Sequence, residues 1–210
     1  MLEHIINGKI MMIPLIICSL ISLAVVYDRW FAFRENRRID TRSLRTKVLN
    51  HLRAGNVDAA EEECIAAEGP VAAVLLAAVR SYGKLKEKGE SAETMRLVIG
   101  EVMDDYSAQS MSVVNKRLDV LTTIGTAAPL LGMTGTVTGM IASFGGLADG
   151  GDNSAVANGI AEAMITTAAG LIIALFAVIP QSVFNRWSDE IELEIEEANS
   201  ELVELILTQH

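Results

Sequence analysis

Residues 160–180, IAEAMITTAAGLIIALFAVIP, make an apolar run about as long as one helical crossing of a bilayer needs. Inside that run stand a carboxylate, Glu162, and two adjacent hydroxyls, Thr166 and Thr167. Hydrocarbon offers no partner to backbone N–H and C=O groups, so the run must be helical. An ionised carboxylate in lipid costs about 2.5–3.5 kcal/mol even on lenient scales, so such a group is expected to face other helices or water. At the outer end of the span Glu162 has a second option, reaching the interface. Thr166 one turn further in and Thr167 beside it extend the polarity inward, as an ion route requires.

Two more apolar segments accompany the first. Together they predict three crossings, at residues 10–27, 118–144 and 160–184. Half of the 210 residues are hydrophobic and the mean hydropathy is +0.34. The polar remainder suffices for one modest globular part. The expected fold is an all-α integral membrane protein whose helices extend into a cytoplasmic helical region. The first segment reads as a retained anchor: only Lys9 precedes it, and it ends in Tyr27-Asp28-Arg29-Trp30 without a small-residue cleavage site.

Lys and Arg set the orientation. Arg29, Arg34, Arg37, Arg38, Arg42, Arg45 and Lys47 follow the first span, Lys116 and Arg117 precede the second, and Arg186 follows the third. The connection between the last two spans has none. The positive-inside rule therefore places residues 1–9 outside, 28–117 inside, 145–159 outside and 185–210 inside. The formal net charge of −10 does not oppose this, since acidic residues count little and many lie in the tail SDEIELEIEEANSELVEL. Nucleic acid is not an expected partner; a basic run beside a membrane fits anionic lipid heads. Cys18 and Cys64 do not read as a disulfide framework, and no Cys/His spacing indicates a metal. No cofactor motif occurs. Without a nucleophile–base pair or phosphate loop, an enzyme is the least supported class.

In the inner region, Asn56 starts a short helix that Gly69-Pro70 ends, Val71–Lys88 forms another, and a third starts near Ser91. On that third helix Met95, Val98, Ile99, Val102 and Tyr106 predict one buried face. With no breaker between Ser91 and Gly125, it is expected to run unbroken into the second span. In the tail, Ile191, Ile195, Ala198, Leu202 and Leu205 form an apolar stripe that needs a surface to lie against: the chain's own inner helices, a neighbouring copy, or a foreign partner.

The second span holds Gly132, Gly135 and Gly139 on one side, a pattern that allows close helix packing. Pro129 and Pro180 each remove an N–H within a helix and should bend it. Thr122, Thr123, Thr126, Thr134, Thr136 and Thr138 crowd the same span. A threonine can return its hydroxyl to its own helix, but so many predict that some face a polar path.

These stretches carry a resemblance. APLLGMTGTVTGMIASF (128–144) and GIAEAMITTAAGLIIALFAVIPQSVFN (159–185) resemble the second- and third-span signatures of the ExbB/TolQ/MotA proton-channel family. The basic stretch and AGNVDAAEEECIAAEGPVAAVLLAAV resemble the inner region of its three-span ExbB and TolQ members. The resemblance implies a bacterial inner-membrane homopentamer around two copies of a single-span ExbD/TolR-like partner. It implies that H+ or Na+ flow drives rotation and work at the envelope, the partner's aspartate working with threonine rings. By motif, Thr136 and Thr167 correspond to pore-lining threonines, Glu162 to the acidic residue opening span three, and Pro129 and Pro180 to family prolines. The chain departs from the pattern at Met133-Thr134 and at Thr166, an extra hydroxyl assigned here to the ion pathway. The competing reading is a non-conducting scaffold that clusters envelope proteins.

Overall fold

The computed structural model describes residues 11–36, 39–148 and 152–209. The expected outer N-terminus at 1–9, the first residue of the first predicted span, Arg37 and Arg38 of the basic run, residues 149–151 of the predicted outer connection and His210 lie outside the described residues. The described chain is helical, with no strand. Its helices are α1 (Met12–Asn36), α2 (Thr41–Arg53), α3 (Val57–Ala66), α4 (Pro70–Glu87), α5 (Ala92–Asn115), α6 (Leu118–Ala148) and α7 (Asn153–Gln209). Three of them, α1, α6 and α7, are long and apolar enough to cross a membrane. The chain divides into two compact units, residues 1–30 with 117–184 and residues 31–116 with 185–210.

The second unit is an amphipathic helix cluster. Asp40 caps α2 by accepting from the Ser43 N–H at 3.1 Å, and Leu44, Val48, Leu49 and Leu52 bury one face. Asn56 holds the N-cap position of α3 but makes no side-chain bond there. Gly69 adopts φ +113°, a value that side chains disfavour, and Pro70 follows in the first turn of α4. Ser91 caps α5.

Two expectations change here. The buried side of α5 is Met95, Ile99, Met103 and Met111; Val98 and Val102 are half-buried and Tyr106 is exposed. The buried row keeps four-residue steps from Met95 through Ile99 and Met103 to Met111, with Ser107 half-buried between the last two, so the three-residue neighbours Val98, Val102 and Tyr106 fall to its side. Nor does α5 continue into α6. Lys116 leaves helical geometry at φ −51°, ψ +131°, and Arg117 takes φ +72°. A positive φ is uncommon outside glycine; the Arg117 guanidinium is held at 2.9 Å by Asp28.

The tail stripe finds its surface within the chain. Ile191, Ile195, Ala198, Leu202 and Leu205 are all buried. Around them, Arg45 of α2 reaches Glu197 at 2.7 Å and the Glu194 carbonyl at 3.4 Å. The Ser188 hydroxyl meets Asn115 at 2.6 Å, and the Phe33 and Trp187 rings lie 5.7 Å apart.

The first unit rests on the antiparallel contact of α6 with the first half of α7. A Cβ placed on Gly139 would come within 2.6 Å of Ala163 Cβ, one on Gly132 within 3.0 Å of Thr167 Cα, and one on Gly125 within 2.5 Å of a Val178 methyl. Backbones approach this closely only where side chains are missing, which compensates for the lack of a hydrophobic drive between helices in lipid. On α1, Leu15 and Val25 are buried while Ile16, Ile17, Leu20 and Leu23 are exposed.

Candidate functional site

Six threonines of α6 expose a choice between local and inter-helix bonding, and most choose the former. Thr123 donates to Asp119 O (2.9 Å), Thr126 to Thr123 O (3.0 Å), Thr134 to Leu130 O (2.8 Å) and Thr138 to Thr134 O (2.9 Å). Such back-bonding satisfies a hydroxyl within its own helix. Two of the six also meet α7. Thr136 donates to Met133 O at 2.7 Å while its oxygen lies 3.4 Å from the Thr167 hydroxyl. Thr122 bonds the Gln181 side-chain amide.

Thr167 is the better placed of the α7 pair. Its hydroxyl donates across the contact to Gly132 O at 2.8 Å, an acceptor that is reachable because Gly132 has no side chain. Thr136 and Thr167 are half-buried and form one polar rung between the helices. Thr166, by contrast, is 3 % exposed. Its methyl fills the space above Gly135, 2.6 Å from where a Cβ would stand, and its hydroxyl turns back to Glu162 O at 3.3 Å.

One turn before Thr166, the Glu162 side chain is exposed and has no ion-pair partner among the described residues. It lines a pocket of about 260 Å³ together with Gly139, Ser143, Asp152 and Gly159. Asp152 accepts from the Ser154 hydroxyl at the start of α7; this bond, followed by backbone N–H donors, holds its carboxyl below the ordinary carboxylate range. The two carboxylates give the pocket an acidic rim.

Pro129 and Pro180 both stand inside continuous helices. Each leaves the carbonyl four residues earlier, at Gly125 and Phe176, without its helical donor. The glycine row Gly132, Gly135 and Gly139 meets Thr167, Thr166 and Ala163 in that order. Two participants escaped the sequence reading. A Cβ on Gly170 would stand 2.5 Å from Ala128 O, so α7 contributes its own glycine to the crossing. Gln181 was hidden behind Pro180, although its type and its place at the end of an apolar run were signals. No group of His, Cys, Asp or Glu among the described residues could hold a metal ion.

The helix pair is close, with hydroxyls meeting in its seam and a carboxylate at one end, and similarity to known proteins gives its family. The family model of MotA/TolQ/ExbB proton channels matches residues 66–197. The chain belongs to the MotA/TolQ/ExbB proton channel family. It is 33% identical over 187 residues to the ExbB-like 1 protein of Synechocystis sp., covering 85% of this chain and 68% of that protein. It is 29% identical over 200 residues to the biopolymer transport protein ExbB of Pseudomonas putida, covering 94% of this chain and 59% of the relative. Against the ExbB of Neisseria gonorrhoeae the identity is 31% over 146 residues, 66% of each chain. The chain thus spans between about three fifths and two thirds of these relatives' lengths. Membership in this ExbB-containing family and three apolar helices make it a membrane protein of the bacterial inner membrane.

Proposed function

We propose that this member of the family is the ring-forming subunit of an ion-driven motor of ExbB/TolQ type. Five copies surround two copies of a single-span ExbD/TolR-like protein, and protons flowing down the membrane gradient drive work at the envelope. The observation that carries the reading is the Thr136–Thr167 rung, with hydroxyl oxygens 3.4 Å apart and Thr167 also on Gly132 O. A partner carboxylate crossing an apolar seam must be neutralised, and threonine hydroxyls solvate it without adding a charge of their own. The gradient supplies about 2.3 kcal/mol per charge for each 100 mV. Glu162, in its pocket at the other end of the polar stretch, gathers cations at the outer mouth. Thr166 supports the path from behind, filling the space over Gly135 while its hydroxyl stays on the Glu162 carbonyl.

Thr167→Val keeps shape and volume and removes the hydroxyl. With the co-purifying single-span subunit in proteoliposomes, the variant should assemble as the wild type does and lose proton flux. Undiminished flux would remove Thr167 from the path. A wild-type complex that passes neither H+ nor Na+ would leave the non-conducting scaffold as the function.

A further inference from the structure

The Thr136–Thr167 rung has a counterpart that nothing in its own motif announces. Thr122 stands fourteen residues before Thr136 on α6, and Gln181 stands fourteen residues after Thr167 on α7. Because the two helices run antiparallel, equal steps in opposite directions keep the residues level, and Gln181 Nε2 does meet Thr122 Oγ1. Fourteen residues are close to four helical turns at 3.6 residues each, so both rungs lie near one face of the pair, about 21 Å apart at about 1.5 Å per residue. Ser143, seven residues beyond Thr136, continues the row on α6 into the pocket that holds Glu162.

The stretch between the rungs is apolar on α7, AAGLIIALFAVIP, and then the chain places an amide. From Glu162 to Gln181 is nineteen residues. At helical rise that is about 28 Å, close to the thickness of about 30 Å of a hydrocarbon core. Gln181 therefore falls where a route opening beside Glu162 must end. Halfway between the rungs, Pro129 leaves the Gly125 carbonyl without its helical donor, one more acceptor on the way. The bonding within the pair is directional: Gln181 donates to Thr122, and Thr122 donates to Leu118 O at 3.4 Å. That leaves the Gln181 carbonyl oxygen with no protein partner among the described residues. Asp119, one turn nearer the end of α6, adds an exposed carboxylate at this end.

Resting on the ion-path reading above, we infer that Thr122 and Gln181 form the inner port of the path, a polar rung that takes over a monovalent cation, H+ on water or Na+, after the Thr136–Thr167 rung and passes it to the interior. A plain inter-helix tether is the competing account, because side-chain amides and hydroxyls do join membrane helices. A tether needs no water at Gln181. A port does.

The test uses the complex of this chain with its co-purifying single-span subunit, in proteoliposomes with an entrapped pH dye. Gln181→Met and Thr122→Val should each lower proton flux about tenfold, the loss of one hydrogen bond to the passing ion, with the complex intact by size-exclusion chromatography. In a Cys18→Ser, Cys64→Ser background, Gln181→Cys should react with a membrane-impermeant charged thiosulfonate added from the cytoplasmic side, and the reaction should block flux. Ile172→Cys should not react. Wild-type flux in Gln181→Met and Thr122→Val, or an unreactive Gln181→Cys in a conducting complex, overturns the port. Should either substitution break the complex, the cysteine reaction alone decides. Failure of the wild-type complex to conduct, or full flux in Thr167→Val, strikes the underlying ion-path reading; a dead Thr167→Val beside an unaffected Gln181→Met strikes only the port.

Discussion

Glu162 and Cys64 are two ionisable side chains in opposite circumstances, and each makes a prediction. Glu162 is exposed at a pocket rim, and in the proposed path it gathers cations without being essential to any single transfer step. Glu162→Gln should reduce flux and leave a measurable remainder; an unchanged flux would make it an interfacial residue only. Cys64 is 2 % exposed, and burial, helped by Glu61 and Glu63, pushes its thiol up to about 12. The reactive species is the thiolate. At pH 8 the folded protein should therefore resist iodoacetamide at Cys64, while the unfolded chain, with an ordinary thiol near about 8.5, reacts. The sign for stability follows. Folding favours the protonated thiol, so this contribution is whole below about pH 8.5 and fades as pH rises toward about 12. The motif that holds Thr136 and Thr167 is long, and the structure brings their hydroxyls together. The other threonines were not separable by counting, since a hydroxyl bonded only within its helix and one that meets a neighbouring helix are the same letter.

Helices were read from periodicity with their starts nearly right at Pro70 and Ser91, because proline and a capping serine act locally. The division between α5 and α6 was missed. It depends on Arg117 adopting φ +72° and on Asp28, far away in the chain, holding its guanidinium. No local letter encodes that. At the α6–α7 crossing the expected close approach is mutual: Gly132 and Gly170 stand opposite, a Cβ on Gly170 lying 3.2 Å from Gly132 Cα. Gly170→Leu meets backbone at Ala128 O and cannot be absorbed by a side-chain rotation. It should prevent assembly of the complex on size-exclusion chromatography, whereas Gly145→Ala, whose added methyl has open space, should leave it unchanged. Within the second unit, Arg45 is buried and Glu197 half in water. Arg45→Ala leaves a cavity and frees the tail helix of its ion pair. Since the partner carboxylate can hydrate, the loss is roughly 1–3 kcal/mol, readable as a lower denaturation midpoint in urea. An unaltered midpoint would show the pair to be ornamental to this unit.

For the molecule as a whole, the two units differ in what they leave uncovered. The first exposes Ile16, Leu20, Leu130, Ile141, Ile165, Leu175 and Phe176 among others. An apolar surface of this extent needs lipid or neighbouring subunits. The second turns its large apolar side chains mostly inward, including Leu52, Leu75, Tyr82, Met95, Ile99 and Leu202, and surrounds them with charge. In the topology we propose, all three apolar helices cross the membrane and the cations select the sides. Arg29, Arg34, Arg42 and Arg45 follow α1's apolar stretch, Lys116 and Arg117 precede α6, and Arg186 lies past Pro180. The α6–α7 connection has only acidic charge, Asp149 and Asp152. Each basic residue on the wrong side would have to cross the bilayer during insertion and oppose the membrane potential. A cysteine placed at Ser154 should therefore label with an impermeant maleimide added to intact spheroplasts, and one placed at Ser200 only after the membrane is opened. The opposite pattern would invert the topology: Glu162 would then open to the cytoplasm, and the direction of ion flow proposed for the path would have to be reversed.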